Sequence, residues 1–265
     1  MTITIDTYPT LGEAASAMRT GSQFLGGGTM VVRGLNFASP DFDKVIRSTD
    51  SALSEIRPEG NGIKLGAGVT MARLMQASGA EFLEPVARAV GGPAVRNMAT
   101  IGGNLFVCSP FGDFGVALLA LDALVQMSDG QMLPIEDFYR QRENLRGLVS
   151  AVIIPRSAHG AFRFRKVVRT KPKGAAVVTI AAHLPGGNRI SGARIALGAM
   201  GSTPLRAKDA ERALEGGSLD AHTVQRVCEM CCNGLNPQDD SIASAWYRRE
   251  VAPVHLRRLL LGEES

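Results

Sequence analysis

The sequence predicts an α+β fold in two domains, and three observations carry that prediction. Strand-like and helix-like segments are mixed without the regular alternation of a doubly wound sheet. Three strand-like runs, Phe162 to Val168, Ala175 to Leu184 and Arg189 to Met200, follow one another and read as a three-stranded antiparallel meander with helices after it. A length of 265 residues is enough for two modest domains with ample core. The boundary is expected near residues 155–160, giving domains 1–157 and 158–265. Within the first, a βαβ-like opening over about 1–55 precedes a mixed-sheet part over about 56–157.

Taken in order, Thr10-Leu11-Gly12-Glu13 is a capping box, and Ala14 to Met18 continues as a short helix that stops near Gly21. Phe24-Leu25 begins a strand that delivers Gly26-Gly27-Gly28-Thr29, and Lys44-Val45-Ile46 is the next strand. Ile63 to Val69 reads as a strand, with Thr70 capping a helix from Met71 to Gln76 and a second helix over Glu84 to Val90. The loop Gly91-Gly92-Pro93 leads through Arg96-Asn97 to Ala99-Thr100-Ile101-Gly102-Gly103-Asn104. Asp113 to Leu121 is expected as a helix beneath that loop. Leu124 to Met127 and Met132 to Pro134 form a hairpin about Asp129-Gly130, and Leu148 to Ile154 is a strand ended by Pro155. The turn Pro185-Gly186-Gly187-Asn188 divides the last two strands of the meander. Helices follow at about Ala207 to Glu215, Asp220 to Cys232 and Ser244 to Leu261, the last of which Pro253 should kink or split.

Composition is that of an ordinary globular chain, 45% hydrophobic and 20% charged. No apolar stretch reaches the roughly 18 residues of a bilayer span. Met1 to Asp6 has neither the basic start nor the apolar core of a secretory signal, so a cytoplasmic location is expected. A net charge of +4 with 5% aromatics gives no platform for nucleic acid. Seven basic residues and no acidic one lie between Arg156 and Lys173: Arg156, Arg163, Arg165, Lys166, Arg169, Lys171 and Lys173. They are either a solvated strand and hairpin or a positive rim facing an anionic cofactor or acidic partner.

The chemistry-bearing residues are sparse. There is no Gly-x-Ser-x-Gly elbow, no His-Glu-x-x-His and no evident carboxylate couple. His159, His183, His222 and His255 are scattered. Cys228, Cys231 and Cys232 share one helix face, which suits a buried apolar stripe better than a metal centre, and no metal ligands are assigned. What stands out is backbone. Gly102 and Gly103 let the chain come within bonding distance of a ligand, because no Cβ intervenes. Thr100 and Asn104 flank them with side chains able to bond a phosphate or sugar. Asp113 is either a helix N-cap or a carboxylate accepting from ribose hydroxyls. Gly26-Gly27-Gly28-Thr29 is a second such loop, and two loops suggest a long ligand gripped at more than one point. Neither fits Gly-x-Gly-x-x-Gly, and no phosphate-binding Gly-x-x-x-x-Gly-Lys motif occurs.

In their order and surroundings these loops resemble the flavin-binding subunit of the molybdenum hydroxylases, the family of xanthine dehydrogenase and carbon monoxide dehydrogenase. That family has a Gly-Gly-Thr loop, then Thr-Ile-Gly-Gly-Asn, then an aspartate nine residues beyond the asparagine, the spacing kept here by Asn104 and Asp113. Phe164-Arg165-Lys166 with Arg169, Ile190 to Gly198, Thr203 to Ala207 and Tyr247-Arg248-Arg249 extend the resemblance to the C-terminus. Met30 stands where the family often has a polar residue, and Phe164 where it often has tyrosine.

The resemblance implies a two-subdomain FAD-binding domain of the vanillyl-alcohol-oxidase/PCMH type over 1–157 and a smaller C-terminal flavoprotein domain over 158–265. It implies FAD held by Gly26, Gly27, Gly28, Thr29 and Met30, and by Thr100, Ile101, Gly102, Gly103 and Asn104, with Asp113 on a hydroxyl-bearing part. Ile101 is expected on the isoalloxazine face, Val90 as an apolar flavin contact, and Lys166 either near the flavin or as an ordinary strand lysine. No residue is assigned a catalytic role, since the cofactor carries the chemistry. Molybdopterin on a large subunit and 2Fe-2S clusters on a small one are implied, as a dimer of heterotrimers, with NAD, quinone or oxygen as acceptor. The alternatives are a self-sufficient flavoenzyme of the same superfamily, such as an alcohol oxidase or enolpyruvyl reductase, and a scaffold that has lost flavin.

Overall fold

The computed structural model describes residues 3–37, 41–155, 161–170 and 174–263. In chain order the first elements are β1 (Thr4–Tyr8), α1 (Leu11–Ser16), β2 (Ser22–Phe24), α2 (Val31–Phe37) and β3 (Lys44–Ser48). Then come β4 (Ile56–Glu59), β5 (Gly62–Gly66), α3 (Met71–Leu74), α4 (Glu84–Ala89), α5 (Pro93–Met98) and α6 (Ile101–Asn104). They are followed by α7 (Asp113–Ala120), β6 (Leu124–Met127), β7 (Met132–Pro134), α8 (Ile135–Gln141) and β8 (Val149–Pro155). The remainder is β9 (Phe162–Val168), β10 (Ala176–His183), β11 (Arg194–Gly198), β12 (Leu205–Arg206), α9 (Lys208–Leu214), α10 (Ala221–Met230) and α11 (Ala245–Leu261).

The chain forms two compact units, Met1–Val107 with Ala123–Ile154, and Cys108–Asp122 with Pro155–Ser265. They interleave along the chain, whereas the expected domains run in chain order. In the first unit a parallel sheet of order β1-β3-β2 opens the fold, and its central strand buries Val45 and Ile46. The capping box holds as expected: Thr10 Oγ1 accepts from the Glu13 amide while Glu13 bonds back to the Thr10 amide. β1 and α2 are additions to the predicted opening.

A five-stranded sheet of order β4-β5-β8-β6-β7 completes that unit. Its β6–β7 hairpin turns at Asp129-Gly130 as predicted, with Gly130 at φ 89°. The structure adds α5, where the sequence predicts loop, and α8, in a stretch to which the sequence reading assigns no element. The signal for α5 is Pro93 at its first turn, where a missing N–H costs nothing. The helix after Thr70 is shorter than predicted, ending at Leu74, but Thr70 caps it by accepting from the Arg73 amide.

In the second unit the predicted meander is present as β9, β10 and β11, and the two-residue strand β12 extends it to four strands in the order β12-β11-β10-β9. Every residue of β10 is buried, because the sheet is covered on both faces. Val178, Ile180 and Ala182 point into a core shared with Val224, Val227, Leu256 and Leu260 of α10 and α11. The opposite face carries Thr179 and meets α7, which packs on β10 and β11. All eight residues of α7 are buried, as its unbroken apolar run requires. A Cβ on Gly198 would stand 2.5 Å from Val116, so the helix approaches the sheet over a glycine.

Asp113 is not the N-cap of α7; Gly112 takes that place at φ 91°, freeing the Asp113 carboxylate for other partners. Nor does Pro253 split the last helix, since α11 runs unbroken through it. The carbonyl four residues earlier, Arg249, loses its usual amide donor to the proline. It accepts the Cys232 thiol instead, at 3.8 Å.

Candidate cofactor site

In the first unit the two glycine loops, some seventy residues apart in sequence, lie against each other. The Leu25 amide donates to the Ile46 carbonyl at 2.7 Å, which ends β2 and turns the chain into the first loop. A Cβ on Gly26 would stand 2.9 Å from Thr100 Oγ1, and one on Gly27 only 1.6 Å from the Met98 carbonyl oxygen. Gly28 takes the left-handed φ of 74° before the Val32 amide closes onto the Gly28 carbonyl at 2.9 Å. The absence of side chains is therefore what seats this loop on the backbone of residues 98–100.

The loops differ in what they leave available. The amides of Gly26, Gly27, Gly28, Thr29 and Met30 meet no acceptor among the described residues. Those after Thr100 are all taken. Ile101 donates to the Val69 carbonyl at 2.9 Å and Gly102 to the Ala67 carbonyl at 2.8 Å. Gly103 donates to Thr100 Oγ1 at 3.1 Å, and Asn104 to the Thr100 carbonyl at 3.0 Å. The first loop thus presents a run of unpaired donors, while the second presents side chains on a braced turn. Thr100 and Asn104 are both buried there.

Gly102 earns its place by packing rather than by facing a ligand, because its added Cβ would stand 2.8 Å from the Ala67 Cβ. Ile101 is fully buried and Val90 nearly so, whereas Met30 is exposed. Val90 sits on a turn held by Arg96, whose guanidinium donates to the carbonyls of Arg88 (3.2 Å) and Gly91 (2.6 Å). Close to the second loop, Arg142 donates to the Leu105 carbonyl at 2.9 Å. The neighbouring Tyr139 hydroxyl is buried with no hydrogen-bond partner among the described residues, and burial pushes its pKa up.

In the second unit Asp113 and Lys166 are brought together. Lys166 Nζ is 2.6 Å from Asp113 Oδ2, and Asp113 Oδ1 accepts the Thr179 hydroxyl at 2.6 Å. Thr179 escapes sequence reasoning; its signal is a lone hydroxyl amid the apolar run of β10.

The basic stretch is largely consumed by this unit. Arg163 donates to the carbonyls of Leu259 and Leu260, and Arg165 to that of Glu263, serving the C-terminal end of α11, whose last carbonyls lack amide donors. Arg169 donates to the Ile242 carbonyl. Arg156, Lys171 and Lys173 lie outside the described residues, as does His159. Cys228 and Cys231 join the core, as the helix-face reading expects. Among the described residues no group of three or more His, Cys, Asp or Glu side chains is arranged to hold a metal ion. No described helix is long and apolar enough to cross a membrane.

Comparison with known proteins gives matches along nearly the whole chain. The model of the FAD binding domain in molybdopterin dehydrogenase matches residues 7–157, and that of the CO dehydrogenase flavoprotein C-terminal domain matches residues 163–262. The glyceraldehyde dehydrogenase medium chain of Sulfolobus acidocaldarius is 29% identical, over 83% of this chain and 82% of its own. The carbon monoxide dehydrogenase medium chain of Afipia carboxidovorans is 27% identical, over 77% and 75%. The solved quinoline 2-oxidoreductase of Pseudomonas putida 86 shares the fold with a TM-score of 0.85 and 26% identity, covering 99% of this chain and 97% of that one. Both of its domains place this chain in one family: it belongs to the FAD-binding flavoproteins of the molybdopterin dehydrogenases, an oxidoreductase subunit of the molybdenum hydroxylase class.

Proposed function

We propose that this chain is the FAD-carrying, electron-transferring subunit of a heteromeric molybdenum hydroxylase. In this reading it receives electrons from iron–sulfur clusters on a small partner and passes them to an external acceptor such as NAD, a quinone or oxygen. A large partner would hold molybdopterin and the reducing substrate, the assembly being a dimer of heterotrimers in the cytoplasm. The observation that carries the proposal is the run of unpaired amides from Gly26 to Met30 beside Thr100. A row of unpaired backbone N–H groups on a glycine loop can supply the donors a diphosphate needs, with no lysine required. The residues therefore fit the diphosphate of FAD. The functional domains proposed are 1–157 for cofactor binding and 158–265 for the flavoprotein C-terminal part.

Bound FAD supplies two-electron redox chemistry with one-electron partners on one side and a separate acceptor on the other. The chain's own residues hold and orient it. Gly26, Gly27, Gly28, Thr29 and Met30 bind through their amides, and Thr100 and Asn104 through side chains. Ile101, Gly102 and Gly103 keep that turn in place through its braced backbone, and Val90 contributes an apolar surface. Asp113 is assigned to a hydroxyl-bearing part of the cofactor, with Lys166, its ion-pair partner, placed near the flavin.

The medium-chain and FAD-subunit relatives, among them a xanthine dehydrogenase FAD-binding subunit of Escherichia coli O157:H7, support a division of labour between chains. The test is to purify the chain alone and measure its absorbance after incubation with FAD, then its turnover of aldehydes, purines and N-heterocycles. A yellow chain without turnover is expected. A colourless chain that takes up no FAD overturns the flavin reading, and turnover without partners overturns the subunit reading in favour of a self-sufficient flavoenzyme.

A further inference from the structure

Three cysteines lie where α10 ends against α11. Cys228 and Cys231 are buried in the core of the second unit, while Cys232 is partly exposed. The Sγ atoms of Cys231 and Cys232 are 3.7 Å apart, within hydrogen-bond reach for sulfur. Cys232 Sγ also reaches the Arg249 carbonyl at 3.8 Å, the one left without its helical donor by Pro253. The Arg249 guanidinium donates to the Leu235 carbonyl at 2.6 Å, which fixes a positive charge beside the pair.

We propose that Cys231 and Cys232 form a reversible oxidation site, with Cys232 as the reacting thiol and Cys231 as its resolving partner. The inference is independent of the flavin reading. The two sulfurs differ in the way such chemistry needs. Cys231, hydrogen-bonded to Cys232 and buried, has its pKa pushed up and keeps its proton. The hydrogen bond from Cys231 and the Arg249 charge pull Cys232 down against burial and the Glu250 carboxylate, and on ionising Cys232 gives up its donor contact to the Arg249 carbonyl.

The oxidant is a hydroperoxide. The Cys232 thiolate attacks one peroxide oxygen, the O–O bond breaks, and Cys232 becomes a sulfenic acid as hydroxide or alkoxide leaves. The Cys231 sulfur then attacks Cys232 Sγ. An S–S bond forms, the sulfenic oxygen leaves with the Cys231 proton as water, and the two thiols have together given up two electrons to the peroxide. Adjacent residues hold their Cα atoms about 3.8 Å apart. That is below the roughly 4.4–6.8 Å usual for a disulfide, so the bridge is easily reduced again. Its formation removes the S–H donor from the Arg249 carbonyl, so the change registers at the α10–α11 junction.

The test is titration of the full chain with hydrogen peroxide, with Cys108, exposed and in the other part of this unit, as an internal comparison. Peptide mass analysis should show the segment carrying residues 231 and 232 losing two hydrogens before Cys108 is modified, and regaining them with dithiothreitol. Cys231→Ser should accumulate a Cys232 sulfenic acid that dimedone traps, and Cys232→Ser should leave Cys231 reduced. Circular dichroism of each variant establishes that it is folded. Oxidation of Cys108 while both 231 and 232 stay reduced overturns the proposal. So does direct conversion of Cys232 to sulfinic acid with Cys231 intact.

Discussion

The Asp113 carboxylate is clasped by Lys166, Oδ2 to Nζ at 2.6 Å, with side chains only 6% and 11% exposed. It ties the first turn of α7 to β9, and through the Thr179 hydroxyl to β10 as well. A carboxylate so covered is tolerable only while paired, because removing one partner strands the other's charge away from water.

Lys166→Met is therefore expected to cost about 3–5 kcal/mol of stability in urea unfolding. Asp113→Asn in the same background should recover part of that loss, since the amide still accepts from Thr179 and carries no charge. A double-mutant cycle with no coupling would contradict the pairing.

Gly27→Ala places a Cβ 1.6 Å from the Met98 carbonyl, a fixed backbone atom. The loop must move, at about 1–3 kcal/mol, and its amides move with it. FAD bound per chain, read from absorbance, should fall sharply. Gly26→Ala meets only the Thr100 side chain at 2.9 Å, which can turn away, so its loss should be smaller.

Thr100 Oγ1 caps the Gly103 amide, and its loss as Thr100→Val is expected to cost about 1 kcal/mol, measurable by thermal unfolding. Thr100→Ser keeps the oxygen and should retain most of the stability and the FAD affinity. A larger loss from Thr100→Ser than from Thr100→Val would instead assign the residue to methyl packing.

Arg248, 1% exposed, makes a two-pronged bond to Asp240 and donates to the carbonyls of Val177, Gln238 and Ala243. Burial raises the Asp240 pKa, but the amides of Ala243 and Ile242 and the Arg248 guanidinium outweigh it and hold the carboxyl below its ordinary 3.8. A depressed folded-state pKa stabilises above the unfolded value and is lost as pH falls through the folded one. Acid unfolding of the native chain should therefore steepen below about pH 3.8, and Asp240→Asn should flatten that limb while lowering stability at neutral pH.

Much of the candidate site was legible in the residues. Glycine pairs, a capping threonine and a turn dipeptide are local devices, so Gly26 to Thr29, Thr100 to Asn104 and Asp129-Gly130 declare themselves by residue type. The meander strands are likewise local, since each is a run bounded by its own turns. Asp113 announced itself by its spacing from Asn104 but not by its partners, Lys166 and Thr179, which come from strands 53 and 66 positions away.

The family and the α+β class were determined by sequence alone, through the order of its loops and runs. Only the tertiary structure decided that the amides after Thr100 are spent on Val69, Ala67 and Thr100 itself, while those after Leu25 meet no acceptor among the described residues. It also turned Arg163 and Arg165 to the end of α11 instead of an open rim, and let α11 continue through Pro253 with a thiol at the vacated carbonyl. The reason is the same throughout: residue type states which groups can donate or accept, but which partner each one meets is set by the long-range closure of the chain.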